Sequence, residues 1–540
     1  MRKSGVLMPI FSLPSKYGIG CMSKEAYEFV DFLNEAKQSY WQILPIGPTS
    51  YGDSPYQSFS TFAGNPYFID LEQLIDDGLL TREICESYDY GDNTEYIDYE
   101  KIYNTRFKVL RQAYSNFLSN MDAGFLRFKK ERAKWLDDYA LFMALKDKFD
   151  GKSWLLWDED IKRREKSVLE AYREELKEEI DFYKFLQYKF FSQWEKLKAY
   201  ANENGIKIVG DIPIYVAVDS ADTWANPKLF QMDESFNLKA VAGCPPDAFA
   251  PTGQLWGNPL YNWKYHKNTG YRWWKERILH CQDIYDMVRI DHFRGFDEYY
   301  SIPAEDETAE FGEWQKGPGY SLFRALNKSI TTLDVIAEDL GFLTDSVKEL
   351  VAKTGYPGMK ILEFGFEPYA DSEYLPHNYN KNSVVYTGTH DNETIVGWFA
   401  KQDAETQKFI LDYLNIPFDT QKTEKLQLDE ETNEEVKVAV EEIIGIEDIS
   451  ASIYKPLIRL AMLSVSDICI IPIQDYLGLD NSARINTPST LGDNWKWRLA
   501  DNLLTSELAQ EIATLTKLSS RDIKEEKKET EEDYFEQGNN

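Results

Sequence analysis

Short apolar runs of the length of buried parallel strands recur along this chain, and from residue 206 onward they alternate with amphipathic helical stretches. The runs lie at 41–46, 206–211, 287–291, 334–338, 359–364, 384–387 and 467–472, with 67–70 as one further candidate. Helical patterns such as 344–354 and 394–414 fall between them, and this alternation builds βαβ units. About eight such units close a (β/α)8 TIM barrel, whose active site lies at the C-terminal ends of its strands. The competing open, doubly wound sheet needs a glycine-rich phosphate turn after its first strand, and none follows here. The predicted fold class is α/β: a (β/α)8 TIM barrel with a helical insertion and loop subdomains over the C-terminal face.

Residues 1–70 start the barrel, and 206–518 supply the remainder. Between them, 71–205 reads as a mainly helical insertion, with long charged amphipathic patterns at 107–117, 134–148 and 160–198. The stretch 215–263 is rich in Pro, Gly, Asn and Trp and too irregular for a barrel helix, so it is predicted to form a loop subdomain over the active face. An acidic insertion at 417–448 and an acidic tail at 519–540 are expected to be solvated, the tail disordered. There is no internal repeat.

The formal charge of -31 repels phosphate backbones and anionic lipid, which argues against nucleic acid and membrane partners. The N-terminal segment lacks the apolar stretch of a signal peptide, and no segment approaches ~18 uninterrupted apolar residues. Five scattered cysteines without CxxC spacing argue against a disulfide framework or zinc site and fit a reducing cytoplasm. The 14 Trp and 34 Tyr suit an uncharged amphipathic ligand such as a sugar, although most such rings are expected in the core.

Three runs lead into carboxylates: Asp291, Glu338 and, after Gly388-Thr389-His390, Asp391. Retaining glycosidic chemistry needs a carboxylate nucleophile and a second carboxyl that gives and then takes a proton. Arg289 shares a strand face with Asp291 and is expected to hold it ionised with a depressed pKa, which suits a nucleophile. Burial and a neighbouring carboxylate are expected to raise Glu338 toward the range of a general acid. Asp391 is placed to hydrogen-bond sugar hydroxyls and favour an oxocarbenium-like ring. His292 and His390 each adjoin a key Asp and can donate to hydroxyls without adding charge. Trp256, set among Gly253, Gly257 and Asn258, reads as an exposed platform. Taken singly, each of these motifs is more often a structural ion pair, a cap or a turn; their order at successive strand ends is what makes them specific.

At these residues the chain resembles the 4-α-glucanotransferases called amylomaltases or disproportionating enzymes, of the α-amylase clan of retaining barrels. The resemblance runs from Gly5 to about Leu503 through 41–45, 51–58, 64–66, 210–216, 245–247, 253–259, 289–295, 316–319, 337–341, 389–392 and 484–488. It implies transfer of an α-1,4-glucan segment to the 4-hydroxyl of another chain through a covalent glycosyl-enzyme. It also implies Asp291 as nucleophile, Glu338 as acid/base and Asp391 as transition-state stabiliser. By the same match Tyr56, Asp211, Arg289, His292 and His390 line subsites, and 251–256 is a flexible cover loop. Ser58, Asn258, Pro259 and Asn392, inside the same motifs, join Trp256 as candidate substrate contacts. No cofactor and no metal are expected; the partners are α-1,4-glucan and maltooligosaccharide donors and acceptors. The rival readings are an α-glucan hydrolase, a non-catalytic glucan-binding protein on a degenerate barrel, and a metal-dependent barrel isomerase, the last disfavoured because no HxH, HExxH or Asp-rich calcium loop is present.

Overall fold

The computed structural model describes residues 2–50, 52–246, 250–328, 333–341, 343–428 and 435–522, the side chains of 424–441 excepted. Eight parallel strands close a barrel: β1 (Lys3–Leu7), β2 (Tyr40–Gln42), β3 (Lys207–Pro213), β4 (Met287–Asp291), β5 (Asp334–Ala337), β6 (Gly358–Ile361), β7 (Ser383–Tyr386) and β8 (Ile468–Pro472). Each pairs with its successor in the chain, and β1 closes the ring by pairing with both β2 and β8. Side chains such as Val6, Val209, Val288, Ile336, Ile361, Val385 and Ile470 are buried along these strands, which is why the runs are apolar on both faces.

The run at 67–70 is not a strand. Asn65 accepts a hydrogen bond from the Tyr67 N–H and Pro66 occupies the first position, and together they wind Pro66–Phe68 into a 3-10 turn. The eighth strand is instead β1, which the apolar pattern hides because Ser4 and Gly5 interrupt it, although both are buried. Gly5 is required there: a Cβ would lie 2.6 Å from the Tyr40 carbonyl oxygen on β2.

Between β2 and β3 the chain is helical, with Tyr99–Leu118, Ala133–Lys148 and Lys177–Glu203 the longest helices. The predicted helix 160–198 is divided into Glu159–Lys162, Lys166–Glu175 and Lys177–Glu203, with Arg164 in the left-handed region at the first break. The last helix anchors the loop that follows β2. Gln187 exchanges two hydrogen bonds with the backbone of Gly64, at 2.7 and 2.8 Å, and Gln193 does the same with Asp70, at 2.7 and 3.1 Å.

Over the C-terminal face, the segments that follow β3 and β4 share one antiparallel sheet in the order Gln254–Pro259, Ala240–Cys244, Glu298–Pro303, Glu313–Lys316. The cover therefore extends past residue 263. Within 417–448 the chain forms an antiparallel hairpin, Thr420–Leu428 against Glu435–Ile443. The start of the 519–540 tail is docked rather than loose: Ser519 and Arg521 are buried, and the Arg521 guanidinium donates to the carbonyls of Lys3, Met462 and Ser466 at 2.8, 2.8 and 3.0 Å. The rest of that expectation falls on 523–540, outside the described residues.

Candidate active site

Strand register brings two of the three carboxylates together. Ile290 on β4 lies opposite Ala337 on β5, so the next residues, Asp291 and Glu338, stand at neighbouring strand ends. The Glu338 N–H donates to the Ile290 carbonyl at 3.1 Å, and the Phe293 N–H donates to the Glu338 carbonyl at 3.0 Å. Between these two bonds the chain turns through His292, whose φ of 51° is left-handed and whose N–H is thereby aimed at Glu338 Oε2. Leu340 N–H donates to the other carboxyl oxygen at 3.3 Å.

Beneath the pair lies a buried ion network. Asp211 on β3 is opposite Arg289 on β4. Arg289 Nη1 lies 2.7 Å from Asp211 Oδ2 and its Nη2 3.1 Å from Asp291 Oδ1, while the Tyr56 hydroxyl donates to Asp211 Oδ2 at 2.7 Å. Arg289 and Asp211 are both excluded from water, so removing either partner would cost about 3–5 kcal/mol.

This network overturns one sequence expectation and alters another. Asp291 is not held below the usual range: burial pushes it up to about 6, and Arg289 opposes that only in part. The physical reason is that Arg289 divides its charge, with Asp211 the nearer carboxylate, and Asp211 itself repels a second charge on Asp291. Glu338 is pushed up to about 8, first by burial and then by Asp291; the adjacent Asp339 contributes least. Asp339 is occupied elsewhere, accepting the Met359 N–H at 2.7 Å. The two carboxyls thus titrate in sequence, and near pH 7 the pair holds one proton, on Glu338.

The third carboxylate is held differently. Asp391 lies on the turn after β7 and is the more exposed, at 41% against 28% for Asp291. Asn486 Nδ2 donates to Asp391 Oδ1 at 2.6 Å, Arg484 Nη2 donates to the Asp391 carbonyl at 2.7 Å, and His390 Nε2 lies 3.3 Å from Asp391 Oδ2. Asn392 accepts the N–H and the hydroxyl of Thr389, at 2.9 and 2.8 Å, which closes the turn. Burial lowers the pKa of His390 and pushes that of His292 down to about 3, so both rings are neutral near pH 7. Asn486 and Arg484 escaped the sequence reading as site residues, since they follow β8 on an irregular segment without a strand-end carboxylate to mark them.

Aromatic rings wall the cleft. Tyr56 stacks on His390 with ring centres 5.2 Å apart and planes 14° apart, and Trp495 lies 5.8 Å from Tyr56. On the other side Trp256, half-buried, stands edge to face with His292 at 4.8 Å. The structure thus brings Tyr56, Asp211, Trp256, Arg289, His292, His390 and Asn392 around the three carboxylates. Ser58, Asn258 and Pro259 are used in building the walls. The Ser58 hydroxyl donates to the Pro48 and Ser60 carbonyls, both at 2.9 Å; Asn258 is buried, donating to the Val216 carbonyl at 2.8 Å and accepting from Gln57 at 3.2 Å. Pro259 is buried opposite Val241 in the covering sheet.

The family model of glycoside hydrolase family 77, described as 4-alpha-glucanotransferase, matches residues 8–505. The 4-alpha-glucanotransferase of Clostridium butyricum is 49% identical over 515 residues, covering 95% of this chain and 100% of that protein. That of Streptococcus pneumoniae (strain ATCC BAA-334 / TIGR4) is 47% identical over 523 residues, covering 96% and 97% respectively. Among solved structures, an amylomaltase from Streptococcus agalactiae in complex with acarbose superposes with a TM-score of 0.88 at 40% identity, covering 96% of this chain and 100% of that one. The family model spans β2 through β8, and the chain belongs to the glycoside hydrolase family 77 of 4-alpha-glucanotransferases, in the α-amylase clan.

Proposed function

We propose that this protein is a 4-α-glucanotransferase that moves α-1,4-glucan segments between maltooligosaccharide or glucan chains by a retaining double displacement. The observation that carries the mechanism is the pair of carboxyls held at neighbouring strand ends, Asp291 against Arg289 and Glu338 against the His292 N–H, in surroundings that push Asp291 up to about 6 and Glu338 up to about 8. At neutral pH the first is ionised and can attack the anomeric carbon, while the second keeps the proton that the departing glycosidic oxygen needs. Attack forms the Asp291–glucosyl ester as the C–O bond to the leaving chain breaks, and Glu338 becomes the carboxylate. Glu338 then takes the proton from the 4-hydroxyl of an incoming chain as that oxygen displaces Asp291, which restores both groups. Asp391, fixed by Asn486, accepts from ring hydroxyls and steadies the positive charge that develops on the sugar.

Transfer rather than hydrolysis requires an acceptor sugar to exclude water from the intermediate. The sheet folded over the face, with Trp256 packed against His292 beside Glu338, supports an acceptor subsite on that side. All five cysteines are unpaired thiols, which supports a reducing compartment, and no described helix is long and apolar enough to cross a membrane. The deciding experiment incubates the protein with maltotriose and follows both products and total reducing ends. Glucose with a ladder of longer maltooligosaccharides at constant reducing ends is expected; rising reducing ends without a ladder would make it a hydrolase, and no turnover would leave a binding protein.

A further inference from the structure

A carboxyl group with no role in the chemistry above lies under the turn that bears Asp391. Glu363 sits in the 3-10 turn Leu362–Gly365 after β6, is buried, and is hydrogen-bonded through its backbone N–H to the Thr387 carbonyl at 3.2 Å. Its side chain lies beside that of Asn392, and Oε1 is buried without a hydrogen-bond partner. The turn passes directly over it: a Cβ on Gly388 would lie 2.8 Å from Glu363 Oε1 and 3.0 Å from the Asn392 Cβ, so glycine is needed for the approach.

The surroundings tell which form the group takes. On the β7 side it faces Glu393, and on the β8 side Asp475, a second fully buried carboxyl whose oxygens accept from the Thr387 hydroxyl and the Ile395 N–H. The one opposing cation among these neighbours, Arg484, is committed elsewhere: to the Asp391 carbonyl at 2.7 Å, to the Asn486 carbonyl at 2.8 Å, and toward Glu393 at 3.6 Å. Burial first, and then the two carboxylates, drive Glu363 well above the usual carboxylate range, which favours its neutral form.

We propose that Glu363 is a positioning residue for the transfer reaction: packed under Gly388 and beside Asn392, its side chain fixes the turn that presents Asp391 to the sugar ring. Asn392 is the link, because its amide oxygen gathers the Thr389 N–H and hydroxyl and its Cβ lies with Glu363 Oε1 against Gly388. A buried side chain of this kind supports the loop through shape and close packing. The inference rests on the assignment of Asp391 as the stabilising carboxylate.

The test compares Glu363→Gln, Glu363→Ala, Asn392→Ala and the double variant on maltotriose, and repeats the assay with α-maltosyl fluoride as donor. Glu363→Gln, neutral and isosteric, should keep kcat within about twofold, while Glu363→Ala should lower kcat about ten- to a hundred-fold with KM changed little. The loss should persist with the fluoride, whose departure needs no proton, and the double variant should lose no more than the worse single one. Equal losses in the Gln and Ala variants, full rescue by the fluoride, or additive losses in the double variant would overturn the proposal. So would a fall in Tm with kcat unchanged. Asp391→Asn serves as the control: if it stays active, the role of Asp391 fails first, and if it is inactive while Glu363→Ala is not, only the positioning inference fails.

Discussion

Asp291 and Glu338 stand at the ends of paired strands and Asp391 stands on a turn, and the two regions reach their geometry by different physics. On the β3–β5 side, position follows from ladder register, and what the surroundings tune is charge: a guanidinium shared by two carboxylates, a tyrosine hydroxyl, and burial that splits two proton affinities. On the β7–β8 side no ladder reaches Asp391, and the placing is done by side-chain hydrogen bonds that Asn486 and Arg484 donate to Asp391 and that Asn392 accepts from Thr389. Damage to the first region should therefore appear as lost chemistry or displaced pH limbs. Damage to the second should appear as graded loss at unchanged pH dependence.

The largest effect tests the strand-borne side. Asp291→Ala removes the proposed nucleophile and should lower kcat on maltotriose by about ten-thousand-fold or more while glucan binding survives, as measured by equilibrium titration alongside turnover. Residual turnover within a factor of about a hundred would mean that another group attacks.

Glu338→Gln should cost about a hundred- to ten-thousand-fold with maltotriose and much less in the first step with α-maltosyl fluoride. Its pH profile is the sharper measurement. In the parent, activity is expected to rise as Asp291 ionises through about pH 6 and to fall as Glu338 loses its proton through about pH 8. The Gln variant should lose the alkaline limb and keep the acid one. The same group predicts a stability effect of defined sign: a carboxyl whose folded pKa is raised stabilises fully only below its unfolded value, and that contribution is lost as pH rises toward about 8. Glu338→Gln should accordingly melt higher than the parent at pH 8, with the difference vanishing near pH 4. An equal Tm at both would place Glu338 in water.

On the turn-borne side, Asn486→Ala removes one hydrogen bond to Asp391 and lets the carboxylate swing. An approximately tenfold fall in kcat is expected, with both pH limbs where they were. A displaced limb would show that this region too is tuned by charge.

The same contrast explains what could be seen in the sequence. Strand-borne groups announce themselves, because an apolar run of four or five residues ending in Asp or Glu, with Arg289 two residues before Asp291, encodes both element and facing; seven strands were legible from their apolar runs, and Asp291 and Glu338 from the carboxylates that end two of them, whereas Asp391 lies on the turn past its run. β1 was not, since Ser4 and Gly5 are buried by close strand approach rather than by hydrophobicity. Nor was the support of Asp391, because Asn486 reaches it, and Glu363 packs under its turn, only through a fold that brings the ends of β6, β7 and β8 together. The direction of the Asp291 shift was misjudged for a related reason: local sequence shows Arg289 beside Asp291 but not Asp211, seventy-eight positions earlier, taking the larger share of its charge.

That sharing gives the smallest and most discriminating test. Asp211→Asn keeps an oxygen that can accept from both Tyr56 and Arg289 but deletes the charge that competes for the guanidinium and repels Asp291. Arg289 is then left to Asp291 alone, so the Asp291 carboxylate is favoured and the acid limb should move to lower pH by about one unit, with the alkaline limb less affected. Burial alone predicts no movement, because the substitution changes neither volume nor exposure. A stationary acid limb would therefore assign the elevated pKa of Asp291 to desolvation, whereas a limb that moves here and stays fixed in Asn486→Ala would separate the two regions as charge-tuned and position-tuned.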